Sequence, residues 1–147
     1  MNDHYIKYIT APHGQTGYPE NNGNLVAFAL GQEKPCNRFK ECAGFFLYET
    51  GNEAEDKLGA KAIYARGVIA ADQTSFLHLP GFGVGETWPY AVKVVLEKRV
   101  DPPHGVSIYK IEEIIGKRLT NKRGGIWKIT KEQFDALSSE LDKCSDK

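Results

Sequence analysis

The sequence predicts an α+β domain: a compact mixed β-barrel or curled sheet with short helices at its corners and a helix at the C-terminus. Three observations predict it. Alternating or aromatic and β-branched runs recur along the chain, each closed by glycine, proline or asparagine. Two amphipathic stretches in the last third carry helix caps. No βαβ alternation, internal repeat or linker divides the chain, so residues 1–147 form one domain. With 41% hydrophobic and 11% aromatic side chains, that length supplies a core of its own.

The elements follow in order. HYIKYIT (4–10) alternates large apolar with polar residues and stops at Ala11-Pro12-His13-Gly14, as a strand does. LVAFAL (25–30) is either a short helix capped by Asn24 or a buried strand, because six residues are too few for periodicity to decide. AGFFLYETG (43–51) and AKAIYARGVIA (60–70) read as two strands joined by a polar loop, NEAEDKLG. WPYAVKVVLEKRV (88–100) has the clearest alternation, with Tyr90, Val92, Val94 and Leu96 on one face and Lys93, Glu97 and Arg99 on the other.

In VSIYKIEEIIGK, Ile108, Ile111, Ile114 and Ile115 share a helical face. Ser107 stands at the N-cap and Gly116 at the position after the helix. Thr130-Lys131-Glu132-Gln133 is a capping box, Ile129 and Phe134 form its hydrophobic staple, and Phe134, Leu137 and Leu141 make the buried stripe of a final helix.

Lys and Arg number 19, as do Asp and Glu, so the formal net charge is zero and any contact with a polyanion must come from a local patch. Cys36, Cys42 and Cys144 form an odd set without paired metal-ligand spacing, which predicts reduced thiols and no metal site. No apolar run approaches the roughly 18 to 20 residues that span a bilayer, and MNDHYIKYIT has no leader pattern. The expectation is a cytoplasmic monomer without a cofactor and without a membrane partner.

The order of these runs resembles the PUA-like superfamily. The strand ending near a proline, GFFLYETG, KAIYARGVIA, the Trp88 strand, the Ile-rich helix and NKRGGIWKITKEQFDAL together are most similar to EVE domains, relatives of the YTH readers. The resemblance implies a small barrel that binds DNA or RNA carrying a modified base, with the base flipped into an aromatic-walled pocket and no catalysis. A flipped base loses its stacking partners, and replacement aromatic faces are worth about 1–3 kcal/mol per base. Any effector is expected to be a separate protein.

By that resemblance Tyr18 supplies a pocket aromatic in TGYPENNGN, with Thr10 and Asn21 as nearby polar groups. Phe82 and Trp88 flank GFGVGETW, where a second cage aromatic is expected, and Tyr48 and Tyr64 are further candidates on strands. In GKRLTNKRGG, Thr120, Asn121 and Arg123 are placed to meet the base edge or a phosphate, while Lys117, Arg118 and Lys122 hold phosphates. Trp127 reads as a core or barrel-surface ring. The bland alternatives are a core role for the strand aromatics and a solvated turn for the basic cluster.

The rival reading is a small PUA-like hydrolase acting on a modified nucleoside or amide. Lys61, Lys93 and Glu97 would be its candidate groups, but no Ser-His-Asp or HExxH spacing supports them. GFGVGE precedes a strand and lacks both GKS/GKT and GxGxxG, so it is not a phosphate loop.

Overall fold

A computed structural model describes residues 3–9, 25–28, 33–49, 61–71, 90–119 and 126–144. Six strands lie in the order β2 (Leu25–Phe28), β5 (Tyr90–Arg99), β4 (Ala62–Ile69), β3 (Gly44–Glu49), β1 (His4–Ile9) and β7 (Ile126–Ile129). The two-residue β6 (Val106–Ser107) pairs with the start of β4, beyond the point where β5 leaves it. All ladders are antiparallel except one, in which β1 runs parallel to β3 from His4↔Gly44 to Ile9↔Glu49.

The parallel register puts paired residues on one face. His4, Ile6 and Tyr8 therefore share a side with Gly44, Phe46 and Tyr48. Helix α3 (Lys131–Asp142) covers this side, with the Phe134 ring 4.7 Å from Phe46 and 4.4 Å from His4. Gly44 makes the approach possible, because a Cβ there would lie 2.8 Å from Phe134 Cζ. On the opposite side α1 (Glu33–Phe39) packs its Phe39 ring 4.9 Å from Phe45. Arg66 joins three elements: its guanidinium reaches Glu97 on β5 at 3.4 Å and, on α3, Asp142 at 3.0 Å and the Ser138 carbonyl at 3.4 Å.

The capped helices form as expected. Ser107 Oγ accepts from Lys110 N at the start of α2 (Ile108–Ile115), and Gly116 ends that helix in the left-handed region with φ 74°. The capping box of α3 is complete: Thr130 Oγ1 accepts from Gln133 N at 3.0 Å, and Gln133 Oε1 accepts from Thr130 N at 2.9 Å. Ile111, Ile115, Leu137 and Leu141 are the buried stripes.

Three features differ from the sequence reading. The sheet is not closed into a barrel: among the described residues no ladder joins β2 to β7, and these four-residue edge strands each pair with one neighbour. Irregularities at Leu47/Tyr48 and Arg66/Gly67 add local twist without closure. LVAFAL is a strand over Leu25–Phe28, because β5 offers it a ladder that sequence alone does not reveal. Helix α1 went unanticipated. It has only seven residues, and Pro35 in its first turn obscures the pattern of the buried Cys36 and Phe39.

Candidate nucleic-acid interface

The basic segment begins where α2 stops. Gly116, with its positive φ, turns the chain so that Lys117 and Arg118 emerge at the surface, both exposed. Two hydrogen bonds fasten this turn. Glu112 Oε2 accepts from Leu119 N at 2.8 Å, and Gln133 Nε2 on α3 donates to the Ile115 carbonyl at 3.4 Å. Neither Lys117 nor Arg118 has an ion-pair partner among the described residues. The backbone that carries these two cations is thus held in place, with the one nearby carboxylate, that of Glu112, engaged by Leu119 N.

Lys117 lies at an open cleft of about 670 Å³ between the end of α2, strand β7 and the start of α3. Asp3, His4, Ile115, Trp127, Lys128, Ile129, Thr130, Lys131 and Gln133 complete its lining. The antiparallel register pairs Trp127 with Ile6 and Ile129 with His4, so both β7 side chains lie on the helix-covered face. Ile129 is buried, and the half-buried Trp127 packs against the core while lining the cleft. Three lysines face one lining carboxylate, Asp3, which lies 3.6 Å from Lys128 Nζ, and Lys131 is 2.8 Å from Asp135. His4 adds no charge near neutral pH: burial first, then the nearby Lys131 ammonium, lower its pKa from the usual 6.5.

Of the sequence-predicted site residues, Lys117 and Arg118 are exposed on the turn that follows α2. Tyr48 and Tyr64 are 5% and 3% exposed, so neither ring presents a stacking face at the described surface. The Tyr48 ring lies 5.6 Å from that of Tyr8, tilted against it on the sheet's helix-covered side, where burial and the Glu112 carboxylate push its phenol up to about 12. The Arg99 guanidinium sits 5.6 Å from the centre of the Tyr64 ring.

Thr10, Tyr18, Asn21, Phe82, Trp88, Thr120, Asn121, Lys122 and Arg123 lie outside the described residues.

Trp127, Lys128, Lys131 and His4 are the cleft residues that the sequence reading did not assign. Their alternation on β7 and the cap at Thr130 were visible; their meeting with Lys117 depends on a strand pairing across more than a hundred residues.

The groups of the hydrolase reading do not meet. Glu97 is engaged by Arg66, and the Lys93 carbonyl accepts from Ala70 N at the far end of β4 from Lys61. Nine residues of strand separate them, roughly 25–30 Å at about 3.3 Å each. Cys36 and Cys42 are buried and burial raises both thiols, Cys42 to about 12, which leaves them protonated and poor nucleophiles. Among the described residues no three His, Cys, Asp or Glu side chains group as metal ligands, and no helix is long and apolar enough to cross a membrane.

No family model and no curated protein matches this sequence. Solved structures do match over almost its whole length. The crystal structure of an Mmi1 YTH domain superposes with a TM-score of 0.61 at 11% identity, covering 96% of each chain. An mmi1 YTH protein in complex with RNA gives 0.60 at 11% identity, over 95% of this chain and 82% of that one. A second Mmi1 YTH domain complex with RNA gives 0.58 at 9%, over 95% and 79%. Identities this low speak to architecture alone, and the architecture is plain: this chain has the fold of YTH domains.

Proposed function

We propose that this protein is an RNA-binding reader module, which holds a single strand by its phosphates on the turn that follows α2 and takes a modified base into an aromatic pocket. The observation that carries the reading is the pair Lys117 and Arg118 on a fastened turn, exposed and without ion-pair partners among the described residues, with Lys117 lining a cleft that has an aromatic wall. Zero net charge makes such a local arrangement the means of attracting a polyanion. Two of the structures that share the fold are complexes with RNA, which favours RNA over DNA as the partner.

The finer parts of the proposal belong to the loop residues. Tyr18, Phe82 and Trp88 are the candidate walls of a pocket for a flipped base, in the manner of EVE domains, and Thr10, Asn21, Thr120, Asn121 and Arg123 are the candidate edge readers, with Lys122 on a phosphate. Selectivity would come from an added methyl or hydroxymethyl group filling space that an unmodified base leaves empty. Binding without chemistry fits the scattered Lys61, Lys93 and Glu97, and the consequence of binding would fall to a separate effector.

The test is a set of matched single-stranded oligonucleotides, in RNA and DNA, each with one methylated or hydroxymethylated base at its centre or none. Saturable binding of RNA, tighter for one modified base than for its unmodified twin and with no change in oligonucleotide mass, is the expected result. Equal affinity across the set would remove the modified base from the account. A mass change with time would restore the catalytic reading.

A further inference from the structure

We infer that the cleft between β7 and α3 is a second nucleotide subsite, in which the Trp127 ring stacks on a base of single-stranded RNA while Lys117, Lys128 and Lys131 hold the adjoining phosphates. The inference rests on the RNA-binding reading and adds to it a place built from described residues alone, on the helix-covered face of β7, where Trp127 pairs with Ile6 and Ile129 with His4.

The geometry favours a nucleotide over other anions. Half-buried Trp127 packs against the core and also lines the cleft, so the ring is held by its surroundings and need lose little freedom on stacking. Base-aromatic stacking tolerates any base, which suits a subsite next to a selective one. The three lysines come from the α2 turn, the edge strand and the first turn of α3, and each of these is fixed by a different bond or ladder. Lys128 and Lys131 already have Asp3 and Asp135 within 3.6 and 2.8 Å, so a phosphate would compete with a carboxylate for them, while Lys117 engages without such competition among the described residues. The volume, about 670 Å³, lies within the range of roughly 300–1,000 Å³ typical of small-molecule sites. An acidic peptide would find the same charges but no use for the indole.

The protein has two tryptophans, so its NMR spectrum has two indole N–H signals, and Trp127→Phe assigns them. The experiment titrates the full chain with an unmodified single-stranded RNA hexamer and follows the Trp127 indole signal. In parallel, the affinity of labelled hexamer is measured between 50 and 200 mM salt for the wild type and for Lys128→Gln with Lys131→Gln. These exposed substitutions spare the core, and thermal unfolding of each variant confirms that it is folded. The expected result is a saturable shift of the Trp127 signal and a smaller loss of affinity with salt in the double variant, by about sevenfold over that range, as two lost single-strand phosphate contacts require. Hexamer that binds without moving the Trp127 signal, or with the salt dependence unchanged in the variant, overturns the subsite and leaves the RNA-binding reading standing. No binding of any RNA overturns both. A polyglutamate peptide that shifts the indole as strongly at equal charge assigns the cleft to acidic protein and overturns the nucleotide.

Discussion

His4 shows how one side chain couples the core to the candidate interface. Its ring packs against Phe134 at a tilt, feels the charges of Asp3 and Asp135 as well as Lys131, and contributes to the cleft. Burial and Lys131 outweigh the two carboxylates and depress its pKa, so the folded protein resists protonation that the unfolded chain accepts. Above the ordinary value of 6.5 both states are neutral and the contact is at full strength. As pH falls below it, the unfolded state takes up the proton first and stability is lost. Melting temperatures between pH 7.5 and pH 5 should therefore fall more steeply for the wild type than for His4→Phe, which keeps a ring against Phe134 and cannot titrate. Parallel curves would show that His4 does not titrate differently in the two states.

At the same scale, the limits of reading a site from sequence are physical. Lys117 and Arg118 stand out as cations in a run, a local property. Trp127 does not, because the face of β7 that meets the helices depends on its pairing with β1 at the other end of the chain. Tyr48 and Tyr64 have the composition of pocket residues and the burial of core residues, and only packing distinguishes the two.

The turn after α2 is the element on which the functional reading depends. Its two determinants, Gly116 and Glu112, test it in different ways. A Cβ at Gly116 would meet nothing within 4 Å, so Gly116→Ala isolates the cost of the left-handed backbone, about 1–2 kcal/mol, in a denaturant titration. Glu112→Ala releases Leu119 N and removes a negative charge near the interface. By charge alone that change strengthens binding to a polyanion. A fastened turn predicts the reverse, a loss of about threefold in RNA affinity from the added cost of ordering Lys117 and Arg118. Tighter binding by Glu112→Ala would show that the turn needs no fastening.

Elements whose signals are local were the legible ones: the Ser107 cap, the Gly116 stop and the Thr130–Gln133 box each involve residues within one turn of the helix they close. LVAFAL stayed ambiguous until β5 was beside it, and α1 is too short to show a period. Whether the curled sheet closes is a matter of edge pairing, which no local pattern encodes; the open path from β2 to β7 could not have been read from the strands singly.

For the whole molecule, the decisive property is that positive charge is placed and not accumulated. With 19 basic and 19 acidic side chains the protein has no net field to draw in a nucleic acid, so its salt dependence should report the few cations of one surface. The most direct measurement is a fluorescence-anisotropy titration of labelled single-stranded RNA across a salt series, with wild type and with Lys117→Ala combined with Arg118→Ala. An RNA-binding surface built on the α2 turn predicts saturable binding whose log-log salt slope becomes shallower by about 1.4 in the double variant, about 0.7 for each lost phosphate contact. An unaltered slope, or no saturable binding by the wild type at low salt, would contradict the account.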